Sequence, residues 1–180
     1  ITMKNQILLL ASILMLSFTA CQKAEIETPD GNSSPTEELL KSGKSGKNFT
    51  AHLSGDQEVP GVQTNATGQA IFHLKNNGTE LHYKLIVANI EDVFMAHIHW
   101  AYEGENGPVV AWLFPDGPPP TPIPGPVNGV LAEGVIMAGD LLGPLAGAEL
   151  SDLIDQFLDG KCYVNVHTAA FPAGEVRGQI

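Results

Sequence analysis

"GQAIFHLKNNGTELHYKLIVA", residues 68–88, carries two alternating apolar runs on either side of Asn77-Gly78. Ala70, Phe72 and Leu74 alternate with other residues, and Leu81, Tyr83, Leu85 and Val87 repeat the pattern, which has the period of a half-buried strand. Asn-Gly is the preferred pair for a two-residue type I′ turn because both positions need positive φ. A turn there sets Phe72 opposite Tyr83, Leu74 opposite Leu81, His73 opposite His82 and Lys75 opposite Glu80. Two apolar pairs and one opposite-charge pair agree on a single register, so the stretch predicts an antiparallel hairpin.

The same period extends in both directions. "NFTAHLS" alternates Phe49, Ala51 and Leu53, and "MAHIHWA" sets Ala96, Ile98 and Trp100 against Met95, His97, His99 and Ala101. "GPVVAWLF" reads as a short apolar strand, and "GVLAEGVIMAG" and "KCYVNVHTAAFPAGEVRGQI" add further strand-like segments. Residues 115–126 contain seven prolines, which donate no ladder hydrogen bonds and fix φ, so this segment is expected to leave the sheet as a stiff extended surface loop. In "AELSDLIDQFLDG", Leu150, Leu153, Ile154, Phe157 and Leu158 fall at helical spacing, with Gly160 as the stop; the helix is expected to cap an open end. Short strands, Gly and Pro turns and one helix predict an all-β fold, an antiparallel Greek-key-like β-sandwich with one short helix.

Upstream the chemistry changes. Ile7 to Ala20 form an apolar run too short to span a bilayer comfortably, preceded by Lys4 and followed by small residues and Cys21, which reads as a signal peptide over residues 1–20. "FTAC" resembles the lipobox of bacterial lipoproteins, with Phe18 in place of the usual Leu, which implies lipidation at Cys21 and attachment to the outer membrane, with surface exposure second. Residues 21–47 are polar and rich in Gly, Ser, Pro and charge, a tether composition, and residues 48–180 form one domain. Cleavage would leave Cys162 without a disulfide partner, so stability is expected from a core. A formal charge of -11 argues against nucleic acid and favours cationic partners.

Three separated blocks, "FTAHLSGDQEVPGVQTNATGQAIFHL", "AHIHWAYEGENGPVV" and "YVNVHTAAFPAGEVRGQI", resemble the CHRD domain in order and over nearly all of residues 48–180. That domain occurs in the vertebrate developmental antagonist chordin and in bacterial secreted proteins. The resemblance implies the β fold and, by analogy with chordin, a binding role for an unidentified protein or glycan. This chain departs from the pattern in its Pro-rich insertion, in Gly61 after "EVP", and in Trp100 after "HIH".

The histidines admit two readings. Alternate strand residues share a face, so His97 and His99 present two imidazoles to one side, and His167 from a neighbouring strand could complete a copper or zinc site. In the last hairpin Glu175 would face His167 and Arg177 would face Asn165, giving the ligands a carboxylate partner. Alternatively His97, His99, His167, Asn165, Glu175 and Arg177 form a hydrogen-bonded layer that pins strand register. His52, His73 and His82 are expected at the surface. "HxH" also occurs in copper/zinc superoxide dismutase, whose bridging His, zinc loop and disulfide have no counterpart here. Cys162 shares its strand face with Val164 and Val166 and is expected in the core, and no nucleophile triad or phosphate loop is present. The sequence therefore predicts a lipid-anchored, non-enzymatic binding or adhesion module. Its alternatives are a copper- or zinc-binding envelope protein and a subunit of a larger surface assembly.

Overall fold

A computed structural model describes residues 47–180; the expected signal peptide, the Cys21 lipidation site and all but the last residue of the tether lie outside the described residues. Strand β1 (Asn48–Ser54) pairs with β2 (Thr67–Lys75), and β2 pairs with β3 (Glu80–Trp100). The expected register of the hairpin holds, with Phe72 opposite Tyr83 and Lys75 opposite Glu80. Asn77 at φ 55°, ψ 31° and Gly78 at φ 90° have the dihedrals of a type I′ turn, closed by Thr79 N–H donating to Asn76 O at 3.3 Å.

β3 is 21 residues long and organises the molecule. Its first half has β2 on one edge and β5 (Ile123–Ile136) on the other; its second half has β6 (Cys162–Thr168) on one edge and β4 (Val109–Phe114) on the other. Between the halves, Asn89 and Asp92 have φ 55° and 50°, and the register shifts at both. Asn and Asp tolerate this left-handed backbone, and such irregularities bend a strand. Both bends are held from β5, since Asn89 N–H donates to Asn128 Oδ1 and Gly125 N–H to Asp92 Oδ1.

The bent β3 changes the expected architecture. β7 (Val176–Gln179) pairs with β6 and meets β1 at Ser54 opposite Arg177, so β2, β1, β7, β6 and β3 close into a five-stranded antiparallel barrel, with β4 and β5 as additional strands on β3. A sandwich was expected because "TELHYKLIVAN" and "MAHIHWA" read as separate strands. They are one continuous strand, which carries the sheet round on itself instead of handing the chain to a second layer.

Helix α1 (Leu150–Leu158) is entered where Glu149 N–H donates to Asp152 Oδ2 at 2.9 Å and stops at Gly160, φ 64°. Its buried Phe157 packs edge-on against Phe49 of β1 and Phe72 of β2, each at 5.3 Å. The Pro-rich excursion is shorter than expected. Ile123 and Pro126 already pair with Val93 and Glu91 of β3, and proline is tolerated there because β5 uses one edge only. Cys162 is fully buried, as expected, and burial pushes its thiol up to about 12.

Candidate metal centre

β3 and β6 run side by side, with His97 opposite Asn165, His99 opposite Tyr163 and Met95 opposite His167. This register brings His97, His99 and His167 together as expected. The face they share is closed rather than solvated: they are 3, 9 and 5 % exposed. Trp112 of β4 stands edge-on to His97 with centroids 4.3 Å apart, and Tyr163 stacks on His99 at 4.8 Å. His52 and His73 are exposed and His82 is half-buried beside Glu80, so these three stand at the surface as expected.

Hydrogen bonds set the ring tautomers. His99 Nδ1 lies 2.8 Å from Gly107 O and His167 Nδ1 lies 3.0 Å from Pro172 O. A carbonyl only accepts, so both Nδ1 atoms carry hydrogen and both Nε2 atoms keep a lone pair. His97 Nδ1 is 3.2 Å from His167 Nε2 and donates to it in the absence of an ion. One nitrogen from each ring can be chosen so that all three lie within 4.8 Å of one another. His97 Nε2 and His99 Nε2 are buried without a hydrogen-bond partner.

The rings are held uncharged. Burial, then the neighbouring imidazoles, pulls His97 down to about 3; burial pulls His167 down to about 4 and also lowers His99. An ordinary histidine titrates near 6.5, so between that value and the folded pKa the unfolded chain binds the extra proton and stability rises with pH. Each of these histidines contributes up to about 1.4 kcal/mol per pH unit there. Glu58, raised by burial from 4.5 to about 7, acts in the opposite sense between those two values. Stability measured by denaturant should therefore fall on acidification, most steeply below pH 4.5, where Glu58 no longer opposes the histidines and Glu80, lowered by its hydrogen bond with His82, adds to them. A flat profile from pH 5 to 3.5 would contradict their burial as neutral rings.

The polar residues expected around the imidazoles divide by role. Glu175 serves the strand connection: its carboxylate accepts from Thr64 Oγ1 and Thr168 Oγ1, both at 2.7 Å, while a backbone carbonyl orients His167. Arg177, 1 % exposed, lies across the Tyr163 ring at 3.4 Å and donates to Tyr102 O and Glu105 O. It thereby fastens the 101–107 turn whose Gly107 carbonyl holds His99. Gly107 is required there, since a Cβ would overlap the Trp100 carbonyl.

Glu58, like Glu103 and Glu105, reads from the sequence as a turn carboxylate with no assigned role, because it sits outside the strand period. It is 7 % exposed, Asn165 lies against it, and Glu58 Oε1 and Asn165 Oδ1 have no hydrogen-bond partner. Gly174, at φ 136°, leaves the space that both occupy; a Cβ would overlap Glu58 Oε1 and come within 2.8 Å of Asn165 Nδ2. Gly174→Ala is expected to cost roughly 1–3 kcal/mol in denaturant unfolding through this overlap. An unchanged midpoint would show that Glu58 is not packed there.

Fold and site define a small antiparallel β-barrel domain with a buried cluster of three neutral imidazoles. The chain belongs to the CHRD family, whose model, described as CHRD domain, matches residues 49–180. Comparison with curated proteins and with solved structures gave no match.

Proposed function

We propose that this CHRD domain is a copper- or zinc-binding protein of the cell envelope, with His97, His99 and His167 as ligands. The observation that carries the reading is that imidazole nitrogens lie buried, uncharged and without partners beside one another. A purely structural layer would leave His97 Nε2 and His99 Nε2 desolvated with nothing in return, at about 1–3 kcal/mol each. An ion held by one nitrogen from each ring would offset that cost. Neutral nitrogen donors suit copper and zinc and do not suit calcium or magnesium, which take oxygen. Three protein ligands leave a position for an exchangeable one. The export signal and Cys21 lipid anchor expected from the sequence support an outer-membrane location for this site.

A binding or adhesion role toward a protein or glycan is the second reading, favoured by family membership and by the cleft that reaches His99. Chelator separates the two, because capture of a protein or glycan would survive it. Untagged protein loaded with Cu(II) or Zn(II) and desalted should retain close to one ion per chain; a molar ratio near zero would remove the metal reading.

A further inference from the structure

A cleft of about 360 Å³ opens beside the imidazole cluster, and Glu58, His99, Asn165, Val62, Phe171 and Pro172 are among its lining residues. We propose that this cleft binds a small neutral aromatic hydroxyl compound, phenol being the simplest. The hydroxyl hydrogen is donated to Glu58 Oε1, and the ring lies against Val62, Phe171 and Pro172.

The polar end is argued from what is missing. Glu58 and Asn165 are both more than nine-tenths buried, yet Glu58 Oε1 and Asn165 Oδ1 have no partner, and His99 Nε2 on the same cleft is also bare. Asn165 Oδ1, His99 Nε2 and, when its carboxyl is ionised, Glu58 Oε1 are acceptors by their assigned geometry, so acceptors outnumber the donor that the Tyr163 hydroxyl supplies to the cleft. Asn106, another lining residue, already gives its amide to Val59 O, and Arg177 is committed to Tyr102 O, Glu105 O and the Tyr163 ring. An anion would therefore meet lone pairs and no free guanidinium. A neutral donor satisfies the acceptors without that penalty.

The apolar end follows from the walls. Val59, Pro60 and Val62 stand on one segment and Phe171 and Pro172 on another, aliphatic and aromatic surfaces that suit a ring. The volume lies at the small end of the range for small-molecule sites, which admits one ring and not a chain of sugars or a peptide. The proposal goes beyond the metal reading and does not rest on it, since His99 is the one lining residue that belongs to the imidazole set.

Phenol and toluene titrated separately into the untagged, metal-free protein, followed by amide ¹H–¹⁵N shifts, test it. Saturable shifts at Val62, Gly107 and Phe171 are expected, with phenol binding roughly tenfold tighter than toluene. In Glu58→Leu the advantage should shrink to within about twofold while toluene still binds. Equal affinity of the two compounds for the wild type, or the absence of saturable shifts at these residues, overturns the proposal without needing a variant. Metal content measured on the same preparation is independent: the ion site could fail with phenol binding intact, and the reverse.

Discussion

Replacing His97 and His99 together by alanine is expected to abolish the thermal shift that Cu(II) or Zn(II) produces in the wild-type protein. A ligand that binds only the folded state stabilises it by about 2.7 kcal/mol at 100 times Kd and about 4.1 kcal/mol at 1,000 times. For a domain of this size that corresponds to a rise in Tm on the order of 10 °C. The double variant keeps His167 Nε2 alone, which cannot hold the ion against water, so its shift should fall to within about 1 °C of zero. The substitution also removes the hydrogen bond to Gly107 O, so the metal-free Tm must be measured first and the shift taken as a difference. Asn165→Ala, which removes no ligand, should retain most of the shift. A double variant that is stabilised by the ion as strongly as the wild type would place the ion elsewhere.

The largest loss of intrinsic stability is expected at Arg177→Leu, about 3–5 kcal/mol in denaturant unfolding. The side chain joins strand β7 to the 101–107 turn: Nη1 donates to Glu105 O at 2.8 Å, Nη2 to Tyr102 O at 3.1 Å and to Gln179 Oε1 at 3.3 Å. Leucine would leave these acceptors unpaired in a partly buried setting and would remove the cation from the Tyr163 ring. Arg177→Lys keeps a charge but not the fork of donors and should recover less than half of the loss. Because the turn carries Gly107, both variants should also weaken metal-dependent stabilisation while leaving the three ligands in place. A loss below about 1 kcal/mol in Arg177→Leu would show that the turn holds without the guanidinium.

The parts of this molecule that could be read from sequence are those set by strict two-residue alternation around a defined turn. Asn77-Gly78 fixed the β2–β3 register, and the last hairpin placed Asn165 opposite Arg177 and Val166 opposite Val176 in the same way. Alternation also put His97 and His99 on one face, and the pairing of β3 with β6 supplied His167. Barrel closure was not legible, because it depends on left-handed backbone at Asn89 and Asp92, which residue type permits and does not announce. The burial of the histidines was hidden for another reason. Alternation sorts residues by face, and this polar face is covered by Trp112, Tyr163 and turns that are distant in sequence. Glu58 lay outside any period, and its desolvation by Asn165 and Gly174 exists only once β6 and the 169–175 turn are in place.

X-ray absorption at the zinc edge of Zn(II)-loaded protein tests the ion site most directly. Three imidazole scatterers with Zn–N distances of about 2.0–2.1 Å are expected, with one further light ligand, and with loss of the imidazole pattern in His97→Ala/His99→Ala. A first shell of oxygens alone, or the same imidazole count in that variant, would contradict the site.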